Sequence, residues 1–382
     1  MRDRVLVLNA GSSTLKASVL ADGGERAAAS ITVPMHGQAD AADALHRALD
    51  GLAGAGGDPA GVRAVGHRVV HGGSRFTRTT AIDDAVLEGI RDLGSLAPLH
   101  NPVAAEVIAA ARAAFPRLPH VAAFDTAFHA TLPIEAYLYA LPYEWHTEWG
   151  YRRYGFHGLS VSWSVERTNA LLGRRDLGVV VAHLGAGCSV SAVWQGRSVS
   201  TSMGMTPLEG LLMATRAGSV DPGVLLAAQR EHALDLETLE ATLEHRSGLL
   251  GVSGRTADMR ELIALATSDG RSALAIAMFE RSAAAAVAAA ATALPRLDAV
   301  VFTGGIGEHA ATIRAGIVRR LAAIGVPPVT DGLVEGDTVL VARPVAIVVI
   351  VAREDVVIAR EALALISGSD GVSPGRDSAR GR

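Results

Sequence analysis

The sequence has a single cysteine and no clustered charge. Cys188 alone among 382 residues excludes an internal disulfide framework and fits a reducing cytoplasm, and we expect its thiol to be packed rather than catalytic. The net charge is −4, and no run of five or six like charges occurs. Binding to nucleic acid or to an anionic membrane would need a sustained basic surface. We therefore expect neither as a partner and expect small-molecule substrates instead.

The sequence also lacks an apolar leader and a hydrophobic run of membrane-spanning length. Met1–Arg4 leads directly into a short apolar strand, without the longer apolar core and cleavage site of a secretory signal, so export is not expected. The longest apolar stretch, Ser282–Leu294, is mostly alanine and is shorter than the ~20 residues that cross a bilayer. We interpret it as a buried helix.

What the chain does have is length, apolar residues and glycine. Its 382 residues exceed what one hydrophobic core usually organises, so two domains with a cleft between them are expected. Hydrophobic residues make up 49% and charged residues 19%, and there are 41 glycines. This composition favours an ordered α/β protein over a disordered or fibrous one.

One strand–turn–strand pattern occurs twice. Val5–Leu8 is an apolar run of β-forming residues, and after a glycine-containing turn the alternating segment Thr14–Val19 follows. Near mid-chain, the run Val179–Ala182, a second glycine turn and the alternating segment Cys188–Val193 repeat this order. A repeat at about half the chain length predicts two domains built on one plan.

The two turns are also similar residue by residue. Asn9 aligns with His183, and Gly11 aligns with Gly185. If each domain presents its turn at the edge that faces the other domain, the two turns would clamp a nucleotide.

A third strand leads into glycines later in the chain. The strand Ala299–Phe302 runs into Thr303–Glu308, where a ligand can approach the backbone closely because glycine has no Cβ, and a helix is predicted over His309–Leu321. Strands that alternate with helices indicate an α/β architecture. Other predicted elements are helices at Asp40–Leu52, Pro102–Phe115, Leu236–Glu244 and Arg271–Leu294, a strand at Ala346–Val351, a helix from Val356 to Ile366 and a disordered tail from Ser367.

The first turn has the equipment to hold a polyphosphate. Flexible backbone N–H groups, hydroxyls and one cation occur within six positions, at Gly11, Ser12, Ser13, Thr14 and Lys16. The pattern is not the P-loop consensus, because the turn leads to a strand and not to a helix. An ordinary hairpin is the alternative, and the mid-chain repeat favours the functional interpretation.

Two arginines and two carboxylates are candidates for phosphoryl-transfer chemistry. Arg68 and Arg216 lie beside glycines, and a guanidinium can meet the spread charge of a transferring phosphoryl group with two hydrogen bonds. Asp125 and Glu354 could bind magnesium or orient the acceptor. The alternatives are structural ion pairs for the arginines and helix-cap positions for the acids.

Two histidines occur among glycines. His157 and His183 have this context, which favours close approach of a ligand, although a buried and hydrogen-bonded histidine is the alternative. We reject a zinc site, because His67 and His71 have no convincingly spaced third ligand.

Taken in order, the motifs resemble those of the acetate kinase, or acetokinase, family. The resemblance covers residues 4 to 366. Its motifs are Asn9–Ser13, Gly66–Gly73, Ala97–Pro102, Phe124–His129, Tyr154–Ser160, His183–Gly185, Ser202–Gly210, Ala214–Gly223, Gly251–Gly254, Asp258–Arg260 and Phe302–Glu308.

This resemblance implies a fold and a reaction. The fold is α/β, with two RNase H-like domains of the actin and hexokinase type flanking a nucleotide cleft: domain I at 1–126 plus 356–382, and domain II, which binds nucleotide and forms a homodimer, at 127–355. The reaction is direct, reversible in-line transfer from ATP to acetate, giving acetyl phosphate and ADP. Mg²⁺ is the implied metal, with Mn²⁺ as a substitute.

The resemblance also implies roles for individual residues. Arg68 and Arg216 would neutralise the transferring phosphoryl group and position the carboxylate, and His157 would donate a hydrogen bond to the same group. Asp125 would orient the reactants, and His183 is the fifth implied catalytic residue. Asn9 and Glu354 would support the metal. The phosphates and the nucleoside would contact Thr14, Lys16, His183, Leu184, Gly185, Gly187, Asp258, Met259, Arg260, Gly304, Gly305, Ile306 and Gly307. The methyl group of acetate would lie among Val70, Leu99, Phe156 and Pro207.

Three positions depart from the pattern of the family. Ala186 stands where asparagine is usual, which removes one phosphate donor, Thr14 replaces a serine but keeps the hydroxyl, and Arg353 replaces the asparagine before Glu354. The first and third would lower nucleotide affinity or change the preferred phosphate donor.

Two other functions compete with acetate phosphorylation. A propionate or other short-chain carboxylate kinase would differ in pocket depth around Val70 and Pro207. An ATP-gated clamp like the heat-shock ATPases would need a client-binding module, and none is visible in the sequence. A pseudokinase is disfavoured because the candidate catalytic residues are all present.

Overall fold

A computed structural model describes residues 4–11, 13–330 and 332–369 of the chain. Ser12 of the predicted phosphate-binding turn lies outside the described residues, and so do residues 370–382 of the predicted tail. The prediction of disorder from Ser367 is wrong for residues 367–369, because they extend the final helix.

Within these ranges the chain forms twelve β-strands and fourteen α-helices. The strands are β1 Val5–Ala10, β2 Thr14–Ala21, β3 Arg26–Pro34, β4 Ala64–Val69, β5 Thr80–Ala81, β6 His120–Phe124, β7 Gly178–Leu184, β8 Cys188–Trp194, β9 Arg197–Thr201, β10 Ala299–Thr303, β11 Thr338–Val341 and β12 Ala346–Val349. The helices are α1 Ala41–Gly54, α2 Asp84–Asp92, α3 Asn101–Ala114, α4 Ile134–Tyr137, α5 Tyr143–Thr147, α6 Gly158–Leu172, α7 Pro222–His232, α8 Leu236–His245, α9 Gly248–Ser253, α10 Met259–Leu265, α11 Gly270–Ala291, α12 Gly304–His309, α13 Ala311–Arg320 and α14 Glu354–Ser369.

The described residues divide into two compact units. Those within Met1–Ala127 and Glu354–Arg382 form unit 1, and those within Phe128–Arg353 form unit 2. Unit 1 is thus built from two separate stretches of the chain.

Unit 1 is a six-stranded mixed sheet between helices. Its strand order is β3-β2-β1-β4-β6-β5, in which β1, β4 and β6 are parallel and the other pairings are antiparallel. The central strands are almost entirely buried, as expected for a sheet that is covered on both faces. Helices α1 and α3 pack against the sheet, and so does α14.

Unit 2 repeats this arrangement with different strands. Its order is β11-β12-β10-β7-β8-β9, in which β7, β10 and β12 are parallel and the other pairings are antiparallel. Strands β7 to β12 therefore correspond one by one to β1 to β6. Because Asn9 and His183 occupy equivalent positions in β1 and β7, the two-fold repeat inferred from the sequence is confirmed.

The glycine run after β10 has a different conformation from the one expected. The helix was predicted to begin at His309, but α12 begins at Gly304, directly after the strand, and α13 follows from Ala311. Gly304 has a φ of 77° and its α-carbon faces the backbone of Leu184, where a Cβ would come within 2.8 Å of the Leu184 carbonyl oxygen. Glycine is therefore required for this sharp entry into the helix.

Helix α11 is longer than the apolar stretch that the sequence suggests. It spans 22 residues and is, in the part of the chain that the structure describes, the one helix long and apolar enough to cross a membrane by length and composition. A core helix passes the same test, and α11 packs against β7 and β8 with Phe279, Ala283 and Val287 buried. Glu280 on this helix forms an ion pair of 2.7 Å with Arg320. The expectation of a buried helix is confirmed for the face of α11 that packs against β7 and β8.

Candidate active site

Polar side chains gather at the carboxyl ends of the parallel strands of unit 1. Asn9 is the last residue but one of β1, and it is the register partner of Arg68, which is the last but one of β4. Asp125 follows β6 directly. In open α/β sheets this edge is the usual location of ligand sites. The parallel register therefore brings together three residues that are far apart in the sequence.

Arg68 is held on several sides by these neighbours. Its Nε donates to Oδ1 of Asp125 at 3.0 Å, its Nη2 donates to Oδ2 of Asp125 at 2.5 Å, and its Nη1 donates to Oδ1 of Asn9 at 3.1 Å. The Asp125 side chain is 1% exposed and that of Arg68 is 16% exposed. Burial alone would lower the pKa of Arg68, but the carboxylates of Asp125 and Glu354 outweigh it and raise that pKa. A two-pronged ion pair of this kind fixes the orientation of the guanidinium.

Glu354 completes this cluster from the first residue of α14. Its Oε2 accepts a hydrogen bond from Nδ2 of Asn9 at 3.2 Å and lies 3.8 Å from Nε of Arg68. Burial raises the pKa of the Glu354 carboxyl, while the positive charge of Arg68 opposes that rise. Asn9, Arg68, Asp125 and Glu354 were predicted separately, and the structure places all four in contact.

The other predicted residues of unit 1 lie on β2, in the turn before it and in loops. Lys16 on β2 is the cross-strand partner of Asn9, and its side chain is exposed. Gly11 closes the first turn by donating its N–H to the carbonyl oxygen of Thr14 at 2.8 Å. Val70 immediately follows β4 and is buried, whereas Leu99 is 37% exposed.

Two histidines stack on each other in unit 2. The rings of His157 and His183 are 4.2 Å apart between centroids, with an angle of 21° between their planes. Nδ1 of His157 lies 2.9 Å from Oγ of Ser189, and Nδ1 of His183 lies 2.8 Å from Oγ of Ser160. His157 precedes α6 in the left-handed region, with a φ of 58°. That conformation is uncommon for a residue with a side chain and is often found at functional sites.

Arg216 and His157 converge on Gly187. A Cβ on Gly187 would stand 3.5 Å from Nη1 of Arg216 and 3.5 Å from Nε2 of His157. The guanidinium of Arg216 is oriented by Glu244, whose Oε2 accepts from its Nε at 2.8 Å, and by the carbonyl oxygen of Pro207 at 3.4 Å from Nη1. Glycine at position 187 thus leaves room for a ligand to reach both donors.

A cavity of about 440 Å³ opens in unit 2 beside the second glycine turn. Ligand pockets for small molecules usually hold a few hundred Å³ or more and are lined mainly by apolar groups. The lining residues are Gly185, Ala186, Ala214, Ala257, Asp258, Met259, Arg260, Ile263, Gly305, Ile306, His309 and Ala310. Residues of the turn, of α10 and of α12 thus surround a mostly apolar space of a size suitable for a nucleoside.

Six residues with predicted nucleotide contacts line this cavity. They are Gly185, Asp258, Met259, Arg260, Gly305 and Ile306. His183 and Leu184 end β7, Gly187 lies in the turn that follows, and Gly304 and Gly307 lie on α12, but none of them lines the cavity. Phe156, which directly precedes His157 in the sequence, is buried. Their contacts with nucleotide or acid stay predictions.

Asp258 and Arg260 bind each other at the rim of the cavity. Asp258 caps α10 by accepting from the N–H of Arg260 at 2.8 Å, and its carboxylate pairs with Nη2 of Arg260 at 2.5 Å. The hydrogen bond from the Arg260 side chain lowers the pKa of Asp258 to about 2. Asp258 is therefore the N-cap of α10, and its contact with nucleotide stays a prediction.

Sequence reasoning missed several residues of the site. Ala214, Ala257 and Ile263 line the cavity, and Glu244 contacts Arg216. Small apolar side chains carry no chemical signature. Only their positions in the sequence could have identified them. Ala257 directly precedes the motif residue Asp258, and Ile263 lies one helical turn after Met259 on α10.

Cys188 is buried, and the expectation of a packed thiol is confirmed. Burial raises the pKa of this thiol to about 12, and its Sγ lies 3.2 Å from the carbonyl oxygen of Gly185. Since the thiolate is the reactive form, iodoacetamide at pH 8 is expected to leave the folded protein unmodified while it alkylates the urea-unfolded chain. Mass spectrometry of both samples measures this difference. Rapid alkylation of the folded protein would contradict it.

Comparison with known proteins places the chain in a family. The sequence model of the Acetokinase family matches residues 22–360. An acetate kinase from Deinococcus radiodurans is 44% identical over 390 residues, which covers 95% of this chain and 98% of that protein. The crystal structure of a propionate kinase from Francisella tularensis matches with a TM-score of 0.85 at 34% identity, covering 95% of this chain and 99% of the other.

An acetate kinase structure from Porphyromonas gingivalis matches equally well. Its TM-score is 0.85 at 30% identity, with 95% of this chain and 100% of that chain covered. The predicted α/β fold with two RNase H-like domains of the actin and hexokinase type is thereby confirmed. The chain belongs to the acetokinase family.

Proposed function

We propose that the protein transfers a phosphoryl group reversibly between Mg-ATP and acetate, giving ADP and acetyl phosphate. The observation that carries this proposal is the Arg68–Asp125 pair at the carboxyl edge of a sheet, in a chain that matches an acetate kinase over 95% of its length. Propionate is the second candidate acceptor, because one of the matching structures is a propionate kinase.

The proposed chemistry is a direct in-line displacement. One carboxylate oxygen of the acid forms a bond to the γ-phosphorus as the bond from that phosphorus to the β,γ-bridging oxygen breaks, and ADP leaves with the electron pair. A carboxylic acid is already ionised at neutral pH, so no general base is required. Asp125 therefore acts by holding Arg68 and not by removing a proton.

Charge stabilisation and alignment supply the catalysis of such a step. In unit 1, Arg68 would orient the acid and neutralise charge on the transferring group. In unit 2, Arg216 and Nε2 of His157 would donate to phosphoryl oxygens. We also propose that Thr14, Lys16, His183 and Gly187 contact the phosphates, and that the cavity of unit 2 receives the nucleoside.

Magnesium fits the residues that we assign to it. Asn9 and Glu354 offer oxygen ligands: Oδ1 of Asn9, which here accepts from Nη1 of Arg68, and the carboxylate of Glu354, whose Oε2 accepts from Nδ2 of Asn9 at 3.2 Å. Mg²⁺ is usually held by one or two carboxylates together with waters and substrate phosphates. No cluster of three or more histidine, cysteine or acidic residues able to hold a metal occurs among the described residues, so phosphates would complete the coordination. When bound, Mg²⁺ neutralises charge on the phosphate oxygens, and Mn²⁺ would substitute for it.

We further propose that the protein is a cytoplasmic homodimer that associates through unit 2. Large apolar side chains are exposed there, namely Val224 and Leu226 on α7, Leu236 on α8, and Leu274 and Met278 on α11. An interface between two copies of the chain would remove these side chains from water. Sedimentation equilibrium at micromolar concentration would give twice the mass of the chain.

The function is tested by trapping the product. Purified protein is incubated with Mg-ATP and acetate, propionate or butyrate in parallel, and hydroxylamine converts any acyl phosphate to a hydroxamate. Acetyl hydroxamate in proportion to ADP, with weak product from butyrate, supports the proposal. ATP turnover that is independent of every acid, without hydroxamate, would instead favour an ATP-gated clamp.

Val70 is expected to control the length of the acid. Replacing Val70 with alanine removes two methyl groups from a buried position, which leaves room for a longer chain. One methylene changes selectivity by roughly 1–3 kcal/mol, so the propionate-to-acetate ratio of kcat/KM should rise by about 10-fold or more. The control is Val107→Ala, an equal truncation in the core formed by α3. If the ratio is unchanged in the Val70 variant, Val70 does not line the acid pocket.

A further inference from the structure

We propose that Glu244 is a positioning residue for Arg216: its carboxylate fixes the direction in which the guanidinium presents Nη1 to the phosphoryl group. The proposal rests on the proposed function and assigns a role to a side chain outside the recognised motifs. Glu244 lies in the last turn of α8, and its Oε2 accepts from Nε of Arg216 at 2.8 Å.

The backbone around Arg216 is attached to the same end of α8. Oγ1 of Thr215 donates to the carbonyl oxygen of Glu244 at 2.7 Å, and the N–H of Ala217 donates to the carbonyl oxygen of Leu243 at 3.0 Å. The N–H of Ser247 donates to the carbonyl oxygen of Thr215 at 2.9 Å. The loop and the side chain of Arg216 are thus both attached to α8, and the carbonyl oxygen of Pro207 is a further acceptor for the guanidinium.

The contact is specific in its geometry. It engages Nε, the donor nearest the side-chain stem, and so restrains rotation of the planar guanidinium without using the terminal nitrogens. The side chains of Arg216 and Glu244 are only 19% and 16% exposed, so the pair is partly shielded from solvent. Nη1 then points toward Gly187, the same region that Nε2 of His157 approaches.

Unit 1 contains an equivalent arrangement. There Nε of Arg68 donates to Asp125 at 3.0 Å, and Nη1 is directed to Asn9. In both units a carboxylate therefore engages the Nε of the candidate catalytic arginine. The acids come from unrelated positions, one directly after a strand and the other on a helix, so the similarity lies in the chemistry and not in the sequence repeat.

Glu244→Ala provides the test, with Glu240→Ala as the control. Glu240 is exposed and lies one turn earlier on α8. Misorientation of a catalytic group by about 1 Å can cost about 100-fold, and we expect Glu244→Ala to lower kcat for acyl hydroxamate formation by about 10- to 100-fold. The KM for ATP should stay within about twofold, because Glu244 does not line the nucleoside cavity.

A double-variant cycle separates positioning from a purely structural role. If Glu244 acts through Arg216, then adding Glu244→Ala to Arg216→Ala should cause no further loss of kcat. If the two losses multiply, or if Glu244→Ala alone leaves kcat unchanged, the inference is overturned. Should Glu244→Ala fold poorly, Glu244→Gln replaces it in the same cycle. Acyl hydroxamate formation by the unmodified protein tests the proposed function independently of either result.

Discussion

Arg216→Ala is expected to lower kcat for acetyl phosphate formation by about 10³-fold or more, because one guanidinium that stabilises a transferring phosphoryl group contributes on that scale. Arg216 is not among the residues that line the nucleoside cavity. The affinity for Mg-ADP should therefore remain within about twofold of the unmodified protein. Coupled measurement of ADP formation gives kcat, and isothermal titration calorimetry gives the affinity.

The control for Arg216→Ala removes an arginine of the same unit. Arg197 begins β9 and is exposed, so Arg197→Ala should leave both quantities unchanged. Near-normal turnover of Arg216→Ala would show that Arg216 has no role in the catalytic step. A parallel collapse of Mg-ADP affinity would instead assign it to nucleotide binding.

Asp125→Ala is expected to impair stability and activity together. It removes the buried partner of Arg68 and leaves a guanidinium that is 16% exposed without its two-pronged contact. Breaking a buried ion pair from one side costs about 3–5 kcal/mol of unfolding free energy. We expect about 3 kcal/mol here, because Arg68 retains some exposure and its contacts with Asn9 and Glu354. Urea unfolding followed by circular dichroism measures the loss. Turnover should fall by at least about 10²-fold, since Arg68 loses its orientation.

The double variant Arg68→Met, Asp125→Ala identifies the cause of the instability. Removing both charges eliminates the guanidinium that has lost its closest carboxylate, so part of the unfolding free energy should return while turnover remains lost. The recovery is incomplete because Glu354 loses its ion pair with Arg68. If the double variant is as unstable as Asp125→Ala alone, the guanidinium deprived of Asp125 is not the cause of the instability.

The repeat of the strand–turn–strand pattern could be predicted from the sequence, because each copy is specified by residues that are close together in the chain. Apolar runs, glycine turns and alternating segments determine strand and turn over fewer than twenty residues, and the equivalent positions of Asn9 and His183 followed directly. The chemistry of Arg68 and Asp125 was also readable from residue type. Their contact was not, because it depends on the parallel pairing of β4 with β6, which joins residues far apart in the chain.

Other features depend on tertiary context and have no local signature. Helix α12 begins at Gly304 because the strand β10 ends there against Leu184, although glycine is a poor helix former. Ala214 and Ala257 line the cavity through position alone. Glu244 looks like any surface acid of an amphipathic helix until the loop of Arg216 is docked on α8.

The discontinuity of unit 1 has a consequence for the order of events at the ribosome. Helix α14 packs against β1, β4 and β6, and a Cβ on Gly66 in β4 would stand 2.6 Å from Cγ2 of Ile358, so the fit of this helix to the sheet is close. The sheet is translated first, but its covering helix is translated only after the whole of unit 2. During synthesis, unit 2 can therefore reach its native state while the first-made sheet still has one apolar face open to chaperones.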